Sequence, residues 1–435
     1  MNVLLIGSGA REHAIARAID NSQKDSTVHC FASNMNPGIA DLCSRLTLGN
    51  INDPETVVEY ARETSSALAV IGPENPLASG VADALWDIGI KVVGPKMNLA
   101  QLETSKAFTR NLLKEYNIPC GPHYQTFDSM VGVEDFLNEL GANYVVKYDG
   151  LAGGKGVRVS GDHLQSHSDA LAYCVELVNK KGKFVIEEKF IGQEFSLMSF
   201  CDGDTLKHMP AVQDHKRAYE GDQGPNTGGM GTYSDTNHSL PFLKDSDIQE
   251  AHTINIATAG ALKNKFGEGY KGVLYGGFMA TGNGVKLIEY NARFGDPEAM
   301  NVLSLLKSDF IDICERIADG TLDGVDVQFQ NKATVCKYAV PEGYPDNPVK
   351  GEPINISNIE NSDGLFYASV DIKNGELVEA GSRTIAVVGM ADSIAEAEAI
   401  AENEVSSVSG PLFHRSDIGT ETVIQDRINH MNSLR

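Results

Sequence analysis

The chain has 435 residues, with 36 Lys plus Arg against 59 Asp plus Glu and a formal net charge of −23 at pH 7. At roughly 150 residues per domain that length calls for two to four domains able to fold without disulfides or structural metal. Acidity of this size excludes a non-specific binder of nucleic-acid backbones or anionic membrane surfaces, so an anionic ligand has to find a local basic island. A hydrophobic fraction of 42% with 22% charged residues describes a packed, soluble chain rather than a disordered one.

From residue 2 to about 116, short apolar runs alternate with amphipathic stretches. Strands are expected at Val3 to Ile6, Val28 to Ala32, Leu68 to Ile71 and Val92 to Val93, with helices at Glu12 to Ile19, at Pro54 to Glu63 behind an Asp53 cap, and at Leu77 to Ile88. Alternation of this kind means a doubly wound parallel α/β sheet, whose ligands sit at the carboxyl ends of the strands. A different texture begins near Ile118. Strands at Tyr144 to Tyr148, Val157 to Ser160 and Phe184 to Glu188 surround a glycine-rich loop and a helix from about Leu164 to Asn179, a small α+β unit. Next come a hairpin from Glu194 to Met209, a polar loop from Pro210 to Asp235, a second hairpin at Val273 to Ala280 and Val285 to Tyr290, and a helix from about Pro297 to Ala318 capped by Asp296. The texture shifts again near 325, with strands at Thr334 to Val340, Phe366 to Val370 and Thr384 to Val388 and an acidic helix near Ile394 to Val405. The seven scattered cysteines read as buried small hydrophobes in a reducing, cytoplasmic setting, and no apolar run approaches membrane-spanning length.

Gly7-Ser8-Gly9-Ala10-Arg11-Glu12 follows a strand and opens a helix, the setting of a dinucleotide fingerprint, but its sixth position is Glu12 instead of glycine. No acidic residue ends the second strand, so a nicotinamide cofactor is disfavoured. The helix N-terminus with Arg11 suits a phosphate, and the bland alternative is a tight turn. Lys147, Lys155 and Arg158 against Asp149 give the 147 to 158 segment a net +2 around Gly153, Gly154 and Gly156. This is the basic island, a phosphate cradle rather than a Walker A loop. Glu289 and Asn291, at i and i+2 of a strand, project from one face and suit Mg²⁺, with Arg293 following on that face. The stretch Gln213 to Arg217 and the segment Gly224 to Gly231 have the composition of a ligand-closing loop, although composition alone favours a flexible surface loop.

Taken together, GSGAREH, IGPENPL (71 to 77), QLETSKAFTR (101 to 110), VVKYDGLAGGKGV (145 to 157), VIEEKFIGQEFS (185 to 196), QDHKR, GPNTGGMG and IEYNARFGDPE resemble the phosphoribosylamine-glycine ligase family, ATP-grasp enzymes of purine synthesis. The resemblance runs nearly the whole length, although Ala10 stands where the family has glycine, Gly153 where it has alanine, and residues 33 to 40 depart from its Pro-Gly-Asn pattern. It implies an N-terminal α/β substrate-binding domain over 1–103, an ATP-grasp domain over 104–324 with a small mobile subdomain at about 119–192, and an α+β C-terminal domain over 325–435. It also implies ATP as co-substrate on Lys106, Lys147, Gly153, Gly154, Lys155 and Gly156, with Glu187, Glu188 and Phe190 at the adenine and Glu194 at the ribose. Mg²⁺ or Mn²⁺ would sit on Glu289 and Asn291. Phosphoribosylamine would be bound through Gly9, Arg11, Glu12, Glu74, Asp214, Lys216, Asn226, Gly228 and Gly229, and Arg293 would position glycine's carboxylate or the transferred phosphoryl group. Arg293, Lys155 and Asp214 are then the catalytic candidates. The partners implied are small molecules, not nucleic acid or membrane, for a monomer or small homo-oligomer. The rivals are another ATP-grasp ligase or carboxylase, and a catalytically inactive nucleotide-binding regulator.

Overall fold

The computed structural model describes residues 1–153 and 156–435; Gly154 and Lys155, both expected in the phosphate cradle, lie outside the described residues. The first apolar runs form five parallel strands, β1 Asn2–Ile6, β2 Thr27–Ala32, β3 Arg45–Leu48, β4 Leu68–Ile71 and β5 Lys91–Val93, in the order β3-β2-β1-β4-β5. In register, Val3 of β1 lies beside Val28 on one side and Leu68 on the other. The chain thus leaves β1 in one direction for β2 and returns on the other side as β4. Ligand crevices open at such a reversal, and here the turns Gly7 to Gly9 and Gly72 to Glu74 stand at it.

Three larger sheets follow, along with two-stranded pairs at Arg217–Tyr219 with Gln223–Asn226 and at Val370–Lys373 with Glu376–Glu379. The small α+β unit is a four-stranded antiparallel sheet, ordered Tyr124–Phe127, Phe184–Glu188, Tyr144–Tyr148, Val157–Val159, with its own core of Phe127, Phe136, Tyr144, Val146, Phe184 and Ile186. The two hairpins merge into a second antiparallel sheet, Leu206–His208, Gly192–Asp202, Lys271–Thr281, Gly284–Asn291, which packs against a 22-residue helix, Asp245–Phe266. In the last sheet Gln213–Asp214, Gly231–Ser234, Ala333–Pro341, Ile385–Ala391 and Leu365–Tyr367 lie in that order, so strands from the expected polar loop pair directly with the C-terminal part. The first, third and fourth sheets share one continuous apolar core, whereas the small unit does not join it. Rotating the small sheet therefore costs polar contacts rather than shared apolar packing.

Several expectations are corrected. The helix at Leu77 to Ile88 is two short helices, Glu74–Ala78 and Val81–Asp87, because Gly80 adopts φ +82° between them. The helix at Pro297 to Ala318 is likewise two, Glu298–Leu305 and Phe310–Asp319. Asp296 caps neither; Asp309 caps the second by accepting from the Asp312 N–H, while Asp296 accepts from the Tyr338 hydroxyl at 2.7 Å. The 210 to 235 loop is not structureless but holds four short strands. The helix Asp245–Phe266, the strand Arg45–Leu48 and the C-terminal helix Glu421–Leu434 were not foreseen from the sequence.

Candidate functional site

A cleft of about 1270 Å³ opens between the small sheet and the hairpin sheet, and the reversal turns of the first sheet and the C-terminal part complete its walls. Almost every residue singled out from the sequence lines it or abuts it.

On the floor, Lys147 reaches from the small sheet to the hairpin strand. Its ammonium donates to Glu187 Oε1 at 2.5 Å and to the Ile288 carbonyl at 3.0 Å. Arg110, from the helix Lys106–Glu115, grips the same Glu187 with two bonds of 2.8 and 3.0 Å and also donates to Ile288. Burial pushes the Lys147 ammonium below its usual range and works to raise the Glu187 carboxyl, but Arg110 and Lys147 overcome that and hold Glu187 low. Glu187, expected at the adenine, is thus engaged in fixing Lys147. Glu188 is exposed at the cleft margin and Phe190 also lines the cleft. Lys106 Nζ donates to the Gly150 carbonyl at 2.8 Å, and Asp149 accepts from Ser105 and the Ala107 N–H, so helix and glycine loop are tied together. Gly153 has φ +54° with no atom of the described residues within 4 Å of where its Cβ would stand, and the Gly156 carbonyl accepts from the Tyr148 N–H.

Glu289 and Asn291 end the strand Gly284–Asn291 on the cleft wall, and neither side chain is hydrogen-bonded among the described residues. Burial works to raise the Glu289 carboxyl, but Lys216, Lys147, Lys106 and Arg293 together hold it below the usual range. An ionised, unengaged carboxylate beside an amide oxygen fits a hard cation that takes its remaining oxygens from water and phosphate. No group of three or more His, Cys, Asp and Glu suited to a metal occurs among the described residues.

Arg293 does not continue that face. It lies past the strand end and turns toward the first sheet, pairing with Glu103 at 2.8 Å and Glu74 at 3.3 Å. Glu103 also accepts from the Ala292 N–H at 2.7 Å. Burial raises the Glu103 carboxyl above its usual range; for Glu74 burial acts in the same direction, but Arg293 and Arg11 outweigh it and hold the group at about 2.

The first glycine turn is already filled. Glu12 folds back so that Oε2 accepts from the Gly9 N–H at 2.6 Å and Oε1 from Arg11 Nε at 2.6 Å. A Cβ on Gly72 would come within 2.1 Å of this carboxylate and one on Gly7 within 2.7 Å of its stem. Arg11 also donates to the Phe294 carbonyl at 3.2 Å. The N–H groups expected to be free for a phosphate are therefore partly taken by the chain's own carboxylate, and only the far side of the Arg11 fork faces the cleft.

Opposite, Lys216 pairs with Glu194, the expected ribose contact. Burial opposes the Lys216 charge, yet Glu194, Glu289 and Asp214 together raise its pKa. Asp214 packs so closely on the turn Gly228 to Gly229 that a Cβ on Gly229, at φ +110°, would lie 2.6 Å from Asp214 Oδ1. That oxygen has no hydrogen-bond partner among the described residues. Burial, then the nearby Glu298 carboxylate, pushes Asp214 well above its usual range. Glu298, 2% exposed, accepts from the Tyr275 hydroxyl at 2.8 Å. Arg383 closes this corner, donating to the Gly228 carbonyl at 2.7 Å and pairing with Asp296 at 3.2 Å. Asn226 ends the short strand Gln223–Asn226 at the rim. Arg110, Glu103, Tyr275, Glu298 and Arg383 were not picked out from the sequence. Each meets its partner across a large sequence gap, and the acidic neighbours of Arg293 give no local signal.

Residues 1–103 match the phosphoribosylglycinamide synthetase N domain, 104–299 its ATP-grasp (A) domain and 334–421 its C domain. The chain is 51% identical over 435 residues to the phosphoribosylamine-glycine ligase of Methanosarcina barkeri and 50% identical over 445 residues to that of Methanocaldococcus jannaschii, covering 100% of each chain in both cases. Among solved structures, a phosphoribosylamine-glycine ligase from Thermotoga maritima superposes with a TM-score of 0.82 at 27% identity, covering 96% of this chain and 100% of that one. A biotin carboxylase from Campylobacter jejuni, at 13% identity and a TM-score of 0.70 over 99% of this chain and 95% of the other, shares the fold alone.

Proposed function

From the premise that this chain belongs to the phosphoribosylglycinamide synthetase family, we propose which of its residues carry each part of the reaction. The enzyme is an ATP-dependent carbon-nitrogen ligase that joins glycine to 5-phosphoribosylamine, giving glycinamide ribonucleotide, ADP and phosphate, the second step of purine synthesis. Lys106, Lys147 and the 153 to 156 loop, with Lys155, hold the phosphates of ATP; Glu188 and Phe190 border its base and Glu194 its ribose. Glu289 and Asn291 hold Mg²⁺ or Mn²⁺, which when bound supplies charge neutralisation on the phosphates. The carboxylate of glycine attacks the γ-phosphorus, and Lys147, kept in register by Glu187, balances the charge of the phosphoryl group in flight. The amine of phosphoribosylamine then attacks the glycyl phosphate carbonyl and expels phosphate, while Asp214 beside Glu298 receives the proton the amine loses. Arg11, with Glu12, Glu74 and Gly9 behind it, borders the substrate phosphate, and Lys216, Asn226, Gly228 and Gly229 close over the sugar. Arg293 orders Glu74 and Glu103 and faces the glycine carboxylate. No covalent protein nucleophile is needed, since positioning and electrostatics carry both transfers.

Three domains at 1–103, 104–324 and 325–435 fit this assignment, with 119–192 as the moving part. The seven free cysteines support a reducing compartment such as the cytoplasm, and the net charge supports small-molecule partners for a monomer or small homo-oligomer.

The observation that carries the site assignment is the ionised, unengaged Glu289 beside Asn291, ringed by Lys216, Lys147 and Lys106. Ligase turnover measured as ADP release, with glycine and freshly generated phosphoribosylamine each omitted in turn, tests the activity. Glu289→Ala and Asn291→Ala are expected to lower it by roughly a hundredfold or more at unchanged fold; full activity in both would remove the metal assignment.

A further inference from the structure

The match to the family's C domain ends at residue 421, where the last helix, Glu421–Leu434, begins, although relatives align over the whole chain. This helix is firmly seated. Met431 is buried and Ile424, Ile428 and Leu434 pack on the continuous core, while the hairpin turn at Gly282 comes so close that a Cβ there would lie 2.4 Å from the Leu434 carbonyl. Arg435, just past it, pairs with Asp247 of the long helix at 2.6 Å. The other face of the helix looks into the cleft: Asp426, Arg427 and His430, spaced i, i+1 and i+4, line it together with Lys189, Phe190, Gln193, Glu194 and Met279.

Two of those side chains are held from outside the helix. His430 Nδ1 meets the Gln193 amide at 2.6 Å, one residue from Glu194, which leaves Nε2 as its remaining nitrogen. Arg427 pairs with Asp222 of the 219 to 226 turn, and Asp222 is also gripped by Arg415 at 2.9 Å. Arg427 Nε is shut off from solvent and has no hydrogen-bond partner among the described residues. Leaving a guanidinium donor desolvated and unmatched is costly unless a ligand completes it.

We infer that the C-terminal helix is the wall of the ATP cleft at its nucleoside end, where His430 and Arg427 position the base and ribose. The inference rests on the reading of the cleft as the ATP site. It accounts for the two anchors, Gln193 and Asp222, which line the same cleft and hold His430 and Arg427 there. Loss of either side chain removes a contact to the nucleoside and none to the phosphates.

Binding of MgADP and of magnesium tripolyphosphate to the full-length protein, measured by titration calorimetry, separates the possibilities. His430→Ala and Arg427→Gln are expected to weaken MgADP about tenfold each, as for one lost hydrogen bond to a ligand. Tripolyphosphate affinity and the KM for glycine should stay within twofold, while the KM for ATP rises in parallel with the ADP constant. If either substitution lowers the melting temperature, His430→Gln, which keeps a hydrogen-bonding side chain in place, serves as the second variant and is expected to retain part of the affinity. Wild-type affinity for MgADP in stably folded variants overturns the inference, as does an equal loss for MgADP and tripolyphosphate. Failure of the wild-type protein to bind MgADP would instead overturn the ATP reading of the cleft.

Discussion

The two glycine-rich turns of this chain follow strands in much the same way, yet one is full and the other open. At Gly7 to Gly9 the glycines are needed because a carboxylate of the same chain, Glu12, occupies the space where their side chains would be. At Gly153 no atom of the described residues lies within 4 Å of where a Cβ would stand, and it is the backbone angle of φ +54° that favours glycine. Glycine content therefore marks a place where something approaches the backbone, but not what approaches it. In the first turn it is the chain's own Glu12 side chain, which also pairs with Arg11; at Gly153 the described residues leave the space open.

The largest test of that contrast is Glu12→Ala. It leaves Arg11, whose side chain is 9% exposed, without its ion-pair partner, and removing one member of a buried pair costs about 3–5 kcal/mol, read as a drop in the urea midpoint. Gly72→Ala comes next, since its Cβ would sit 2.1 Å from Glu12 Oε1; an overpacked site of this kind costs about 1–3 kcal/mol, and wild-type stability there would show that Glu12 is not fixed in the turn. His13, on the helix Ala10–Asp20 behind the filled turn, offers a pH test of comparable size. It is 2% exposed, its Nδ1 accepts from the Tyr367 N–H at 3.0 Å, and burial, then Arg17, lowers its pKa from 6.5 to about 3. A depressed histidine favours the folded state above pH 6.5, and that contribution is lost as pH falls toward 3, by about 2 kcal/mol between pH 7 and pH 5. His13→Asn should flatten the acid side of the stability profile by one proton, and an unchanged slope would place that proton elsewhere. The smallest effect is expected at the open turn: Gly153→Ala costs about 1 kcal/mol through its left-handed backbone alone, with a rise in the KM for ATP as the more telling readout.

What could be read from the sequence follows the same physics. Strands such as Leu68–Ile71, an unbroken apolar run, and Tyr144–Tyr148, interrupted only by Lys147, have limits that coincide with expectation. The helix Asp245–Phe266 went unseen because its buried face carries Asp247, Asn255 and Thr258, which hydrogen-bond instead of forming an apolar stripe; Asn255 reaches the Leu197 carbonyl and Thr258 the Tyr290 hydroxyl. The strand Arg45–Leu48 is a half-exposed edge with no apolar run. Within the site, the strand pair Glu289 and Asn291 was legible because period-two geometry is local. The direction of Arg293 was not, because it is decided by Glu74 and Glu103, which the first sheet brings to it. Glu187 shows the same limit: its two cationic partners come from other elements, 77 residues away in the case of Arg110.

One connection reaches beyond the finished molecule. Gly231–Ser234, next to the turn that carries Gly228 and Gly229, is held as a strand by pairing with Ala333–Pro341, roughly a hundred residues later in the chain. During synthesis on the ribosome the first sheet can close early, from neighbouring segments. The other neighbour of Gly231–Ser234, Gln213–Asp214, is local, but the second partner strand emerges only with the last quarter of the chain, so a truncated nascent protein would hold the segment next to Gly228 and Gly229 from one side alone. The full support of that segment therefore comes late, when Ala333–Pro341 docks beside it.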